Sequence, residues 1–183
     1  MADESLKGKL LIATPVLGDP NFFGTVVLLL DHSERGALGV VLNRPSDVAV
    51  ETTLAQWAGM TSAPRVVFIG GPMSREAALA LVDLAEAELE AEEEEGWRPI
   101  VAQVGMVDLR GDPGSLGSRV RGVRVFSGHA GWAGGQLESE LNSGAWVVAE
   151  SEPGDVVTAV PSALWYQAIK RLGGRMQPWA PPN

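Results

Sequence analysis

The chain contains no cysteine, and this absence excludes several classes of protein at once. A disulfide framework, a thiolate zinc site, a cysteine nucleophile and a cysteine-ligated iron–sulfur cluster all require that residue. Two histidines, His32 and His129, are too few for a three-histidine metal site within one chain. Asp31 beside His32 does not complete such a site, because no third close donor is evident. We therefore expect no metal and no other cofactor.

Long apolar runs are also missing from the sequence. The longest one covers residues 26–30, whereas a membrane-spanning helix needs about 20 apolar residues. The acidic beginning, Met1-Ala-Asp-Glu, lacks the apolar core of an export signal. We therefore expect a cytoplasmic protein with no membrane partner.

Clustered positive charge is scarce as well. The basic residues are scattered, apart from a loose group at Arg119, Arg121 and Arg124. On a predicted strand, spacings of two and three residues do not place all three side chains on one face. Because nucleic-acid recognition relies on a continuous basic surface, we expect no direct DNA binding.

Acidic residues are plentiful, and many of them lie together. The 183 residues carry a net charge of −9 and are 45% hydrophobic, enough for one globular domain over residues 1–183. Seven glutamates lie between residues 86 and 95, and the rest of the chain is nearly balanced in charge. We predict that this glutamate run is a solvated loop.

Short runs of apolar and β-branched residues predict a sheet. Buried strands are expected near residues 8–15, 25–32, 38–43, 65–69, 99–107, 123–126 and 146–149. The second and third of these have a short connection that contains glycine, so they should form an antiparallel hairpin.

Helices are expected near residues 53–59, 136–141 and 161–173, the last with Pro161 in its first turn and Gly173 as its left-handed cap. Residues 76–95 are ambiguous. Their composition favours a helix, whereas the alternation at residues 78–82 also fits a strand. Residues 177–183 contain three prolines and are predicted to be an extended or flexible tail.

The most unusual segment is Phe126-Ser-Gly-His-Ala-Gly-Trp-Ala-Gly-Gly-Gln, which lies between a predicted strand and a predicted helix. Its glycines can let the backbone approach a ligand, or they can simply form a tight corner. The segment lacks the G-x-S-x-G pattern of a hydrolase nucleophile, so Ser127 and His129 are not predicted to be catalytic.

A second segment, Asn43-Arg44-Pro45, also follows a predicted buried strand. If its strand and the strand before Ser127 run in the same direction, their following loops meet at one edge. Arg44 would then face the start of the helix and favour an anion, a carboxylate or a single phosphate. The predicted ligand-binding residues are Asn43, Arg44, Ser127, Gly128, His129, Trp132, Gly134, Gly135 and Gln136.

Several motifs strongly resemble the AlgH/YqgE family of bacterial proteins. They are Thr25-Val-Val-Leu-Leu, Gly39-Val-Val-Leu-Asn-Arg-Pro, Gly70-Gly-Pro, the glycine-rich segment with its continuation Leu137-Glu-Ser-Glu, and Trp146. The similarity extends over about residues 8–171. It departs from the family pattern at His129, where the family usually has tyrosine, and at the glutamate run.

The resemblance implies an α/β domain built on a mixed, strongly curved, barrel-like sheet flanked by helices, with residues 76–84 in a strand. It supplies no established catalytic residues. The family carries the label of a transcriptional regulator of alginate synthesis, and these residues do not support direct DNA contact.

Two functional hypotheses follow. The first is a non-enzymatic regulatory or binding protein that senses a small anionic ligand or a protein partner. The second is an enzyme of unknown reaction that uses the same glycine-lined edge.

Overall fold

A computed structural model describes residues 4–85, 97–114 and 119–173. The predicted loop of the glutamate run and the predicted tail lie outside the described residues. The strands are Leu10–Ala13 (β1), Val26–Ser33 (β2), Gly36–Val41 (β3), Pro45–Ala49 (β4), Val66–Ile69 (β5), Met73–Leu84 (β6), Trp97–Val101 (β7), Val104–Val107 (β8), Val120–Ala133 (β9) and Trp146–Ala149 (β10). The helices are Val50–Thr53 (α1), Ala55–Ala58 (α2), Gln136–Asn142 (α3), Pro153–Val156 (α4) and Leu164–Arg171 (α5).

Strand β9 joins the two halves of the sheet. The strands follow the order β10-β1-β2-β3-β9-β6-β8-β7, and β4 and β5 form a branch that also pairs with β9. The β5–β9 pairing is parallel, and the other strand pairings of the described chain are antiparallel. The sheet is therefore mixed, as the resemblance implied, but it is mostly antiparallel.

The structure confirms several sequence predictions, but its helices are shorter than the predicted flanking of the sheet suggested. Strands β2 and β3 form the predicted antiparallel hairpin. Residues 76–84 lie in β6, so the strand implied by the resemblance is confirmed over the helix favoured by composition. Gly173 has the predicted left-handed conformation, with φ of 77°. Each helix of the described chain has eight residues or fewer, so the helices flank the sheet only modestly.

Side-chain alternation along β9 supplies different parts of the core. Phe126 packs with Phe68 in the cluster beneath α5, where the two rings meet edge to face. Val123 and Val125 point the other way, into a cluster with Trp57 beneath α1 and α2. A third cluster contains Trp132, near the end of β9, and Trp146, at the start of β10. The long strand therefore contributes to both faces of the sheet.

Arg124, between these residues on β9, is almost fully buried and has no carboxylate partner in the described chain. Its guanidinium lies 4.3 Å from the centre of the Phe68 ring. Burial lowers the pKa of Arg124 to about 10, so the group stays charged at neutral pH. It donates hydrogen bonds to four backbone carbonyls, those of Ser62, Ala63, Val156 and Thr158. Arg124 thus ties two loops to the sheet.

Candidate functional site

The two strands that precede the Asn43 and Ser127 segments do not run in the same direction, because β3 and β9 are antiparallel. Gly36 pairs with Ala133 and Gly39 pairs with Ala130 in an antiparallel register. Both segments nevertheless lie beside β5. The amide of Ile69 donates to the carbonyl of Arg44 at 2.8 Å, and the amide of Gly70 donates to the carbonyl of Ser127 at 2.8 Å. The expected geometry was wrong at this point, since it required two strands with the same direction.

Arg44 and Asn43 form hydrogen bonds with the turn at residues 20–24, which precedes β2. The Arg44 guanidinium is half-buried, and this burial lowers the pKa of Arg44 against the opposing effect of Asp19. Asn43 accepts a hydrogen bond from the amide of Val26 at 3.0 Å and donates one to the carbonyl of Gly24 at 3.0 Å. Arg44 donates to three backbone carbonyls of the turn, those of Pro20, Asn21 and Phe23. Arg44 therefore does not face the start of α3.

The glycine-rich segment is a strand rather than the expected loop, because β9 continues to Ala133. Its glycines allow the β5–β6 connection to pass close to β9. A Cβ atom on Gly70 would lie 2.4 Å from the carbonyl oxygen of Gly128, and one on Gly71 would lie 2.2 Å from the carbonyl of His129. His129 itself is half-buried and lies opposite Met73 in the β6–β9 pairing.

Side chains of α3 form hydrogen bonds with β9 and β10. Gln136 accepts a hydrogen bond from the amide of Ala133 at 3.0 Å. The indole N–H groups of Trp132 and Trp146 both donate to one carboxylate oxygen of Glu140, each at 2.8 Å. Trp132 is consequently buried in an aromatic cluster and does not form the predicted wall of an anion site.

Gly134 and Gly135 turn the chain from β9 into α3. Gly135 is left-handed, with φ of 81°, and caps the helix. A Cβ atom on Gly134 would lie 2.6 Å from the carbonyl oxygen of Glu34. The left-handed conformation at Gly135 and the close backbone contact at Gly134 therefore account for these two glycines.

His32 links the N-terminal segment to α3. Its Nδ1 accepts a hydrogen bond from the amide of Leu6 at 2.9 Å, so the proton of the neutral ring is on Nε2. Nε2 lies 2.7 Å from a carboxylate oxygen of Glu138, and this hydrogen bond lowers the pKa of Glu138. Within residues 4–85, 97–114 and 119–173, His, Asp and Glu side chains form no group of three that could hold a metal ion.

One pocket does contain residues close to both predicted segments. Ser127 of β9 lies opposite Ile69 of β5 on one side and opposite Ala78 of β6 on the other. Because side chains alternate along a strand, Ser127 points to the same face as Val125. This row of residues forms the floor of the pocket.

The pocket has a volume of about 340 Å³, within the usual range for small-molecule sites. Strand β4 contributes Ser46, which comes two residues after Arg44, and Val48. Thr53 and Leu54 close the pocket from the end of α1. The described lining is mostly apolar and is suited to a small molecule with an apolar body.

Arg75 is the one charged residue in the described lining. The Ser127 hydroxyl donates to the backbone carbonyl of Arg75 and so fixes this part of β6. The aliphatic stem of Arg75 lies against Gly128, where a Cβ atom would approach Arg75 Cγ to 3.2 Å. The exposed Arg75 guanidinium has no hydrogen bond or ion pair with other described residues. It is therefore available to an anion.

Comparison with known proteins identifies the family. A family model described as AlgH-like matches residues 10–177, nearly the whole chain. The chain belongs to the AlgH-like family. Among similar proteins of known sequence, a UPF0301 protein of Streptomyces coelicolor is 49% identical over 170 residues, which cover 93% of this chain and 88% of that protein. A UPF0301 protein of Thermobifida fusca is 40% identical over 181 residues, covering 94% and 89%.

Two solved structures share this fold. A crystal structure of a Corynebacterium diphtheriae protein is 30% identical, with a TM-score of 0.91 and coverage of 100% of this chain and 95% of that one. The solution structure of AlgH from Pseudomonas aeruginosa is 27% identical, with a TM-score of 0.72 and coverage of 100% and 97%. No helix among the described residues is long and apolar enough to span a membrane.

Sequence reasoning found part of the pocket and missed its cation. Ser127 was a predicted site residue and lines the pocket, and Gly128 supports the Arg75 stem. Arg75 stands in Pro72-Met-Ser-Arg, which carries no recognisable pattern. The available signal was Gly70-Gly71, because a glycine pair after a strand allows the close crossing that brings Arg75 to Ser127.

Proposed function

We propose that this AlgH-like protein is a non-enzymatic binding protein with a regulatory role, and that it senses a small organic anion in the pocket beside Arg75. One observation carries the proposal. An apolar pocket holds a single charged side chain, and that side chain has no ion pair within the described chain. A guanidinium offers two parallel N–H groups, which match the two oxygens of a carboxylate.

The described lining favours binding over acid–base catalysis. It contains no histidine, aspartate or glutamate, the side chains that most often transfer protons in enzymes. The Ser127 hydroxyl donates to a backbone carbonyl and has no neighbouring base in the described lining, so nothing activates it as a nucleophile. These features support the sensor over the alternative of an enzyme.

The proposal is tested by titrating the ¹⁵N-labelled protein with acetate, benzoate, hexanoate and inorganic phosphate. We expect the amide resonances of Ile69, Arg75 and Ser127 to shift with benzoate and hexanoate. These two should bind more tightly than acetate, because their apolar bodies are removed from water by the lining. If none of the four anions shifts these resonances, the proposal is wrong.

A matched pair of variants locates the anion. Arg75→Ala should weaken benzoate binding about 10- to 100-fold, because hydrogen bonds to charged groups are worth about 1.5–3 kcal/mol. Arg35→Ala removes the same charge from the exposed β2–β3 turn and should leave the affinity unchanged. Arg44→Ala should also leave it unchanged, because the Arg44 guanidinium is held by the 20–23 turn. Equal losses in all three variants would indicate a nonspecific charge effect and would contradict the site.

A further inference from the structure

A second cavity adjoins the Arg75 pocket. It is an open groove of about 570 Å³ between β6, β7 and β8. Its apolar lining includes Trp97 and Leu109, which pack in the same cluster as Leu54. Leu79 and Met106 also line it, from the cluster on the other face of the sheet. Leu54 and Ala78 line both the groove and the pocket, so the two cavities meet at these side chains. A ligand longer than the pocket would have to cross this boundary to reach the groove.

The charges along the two cavities indicate which end of such a ligand binds in each cavity. At the groove, Arg110 forms a bidentate ion pair with Asp108, in which Nε and Nη2 donate to the two carboxylate oxygens at 3.0 and 2.8 Å. Arg98 of the groove lies 3.9 Å from the carboxylate of Asp31. Arg75 at the other end lacks such a partner within the described chain. An anionic head group is thus favoured at Arg75, and the groove is left for an apolar tail.

We infer that the ligand of this site is an unbranched amphiphilic carboxylate, with its head group at Arg75 and its acyl chain running past Leu54 and Ala78 into the groove. This inference rests on the proposed function, because it extends the same Arg75 site. It adds the chemical class of the ligand and a second binding region. Trp97 and Leu109 provide apolar surface in the groove on the side of the sheet that carries Leu54.

The experiment measures the affinity of the intact protein for hexanoate, octanoate and decanoate below their micelle concentrations by isothermal titration calorimetry. Burial of each added methylene should raise the affinity about fourfold, and the increase should continue through decanoate. Decyltrimethylammonium, which has the same chain and a cationic head group, should bind at least tenfold more weakly than decanoate. If the increase ends at hexanoate, or if the cation binds as well as decanoate, the inference is wrong.

Two variants distinguish the groove from the pocket. Ala78 is exposed, so Ala78→Phe should leave the fold intact and narrow the passage between the cavities. Because Ala78 also lines the pocket, the readout is the ratio of the decanoate affinity to the hexanoate affinity in the same variant, which should fall to about one. Leu109→Gln, which changes the groove alone, should weaken decanoate several-fold and hexanoate not at all. Circular dichroism checks that both variants are folded.

The outcomes separate the two proposals. If hexanoate binds in an Arg75-dependent manner and both variants bind decanoate as the natural protein does, the proposed function stands and the extended ligand is wrong. If no carboxylate binds, both are wrong. If the ratio of decanoate affinity to hexanoate affinity falls in both variants, the acyl chain occupies the groove.

Discussion

Glu140 accepts hydrogen bonds from two tryptophans that lie on different strands. Trp132 belongs to β9 and Trp146 to β10, and the centres of their rings are 5.9 Å apart. Both indoles are nearly buried, and both donate to the same carboxylate oxygen. Glu138, two residues earlier, bonds to His32 of β2. Glu138 and Glu140 therefore hold α3 against the sheet. This structural role accounts for both carboxylates of the Leu137-Glu-Ser-Glu motif.

Replacement of Glu140 tests this role. Glu140→Ala leaves two buried indole N–H groups without an acceptor, at a cost of about 1–3 kcal/mol each, so stability should fall by about 2–6 kcal/mol. Glu140→Gln retains one oxygen and should cost about 1 kcal/mol, from the lost charge on the acceptor. Urea unfolding followed by tryptophan fluorescence measures both changes. An alanine variant as stable as the natural protein would show that the indoles do not depend on Glu140.

At the scale of secondary-structure elements, the close crossing of the β5–β6 connection over β9 is the feature most sensitive to substitution. The crossing places Gly71 against the backbone of His129, and a backbone segment within a paired strand cannot move aside cheaply. Gly71→Ala should therefore lower the free energy of unfolding by about 1–3 kcal/mol, the usual cost of overpacking. Thermal and urea unfolding would measure the loss.

Gly18→Ala is the matched control for that substitution. A Cβ atom on Gly18 would meet no atom within 4 Å, and Gly18 has no positive φ. Its replacement should be neutral or slightly stabilising, because alanine restricts the unfolded chain more than glycine does. If the two variants have the same stability, the close crossing does not limit the side chain at residue 71.

The elements also show what the sequence could and could not predict. Runs such as residues 26–30 identified their strands because fully buried strands are continuously apolar. The direction of β3 relative to β9 depends on contacts between residues about 90 positions apart, which no local pattern encodes. Ser127 was assigned to a loop because glycines surround it, yet pairing with β5 and β6 keeps it in a strand. Local propensity likewise favoured a helix where β6 forms, and tertiary pairing overrode it.

At the scale of the whole molecule, the charge distribution opposes nucleic-acid binding. The net charge is −9. Within the loose arginine group, Arg124 is buried and Arg121 lies 3.2 Å from the carboxylate of Asp83. Neither presents a free cation to a phosphate backbone.

We therefore expect no binding of a labelled random-sequence DNA duplex at micromolar protein and 50 mM salt, measured by fluorescence anisotropy. Binding through phosphate contacts would weaken steeply as salt increases, because counterions are released on binding. A sub-micromolar affinity with that salt dependence would contradict the expectation. If DNA does bind, the affinity of the Arg75→Ala variant would show whether that binding depends on the pocket.

The central position of β9 has a consequence for synthesis of the protein on the ribosome. Strand β3 pairs with β9, and β1 pairs with β10. Two strands near the N-terminus therefore lack a pairing partner until the later part of the chain has been synthesised. At about 5–20 residues per second, roughly 4–17 s pass between the emergence of β3 and that of β9. During this interval the β2–β3 hairpin presents an unpaired strand edge beside apolar side chains, and such an edge can pair with a strand of another chain. Crowded polysomes should therefore be the setting in which this small protein is most prone to aggregate.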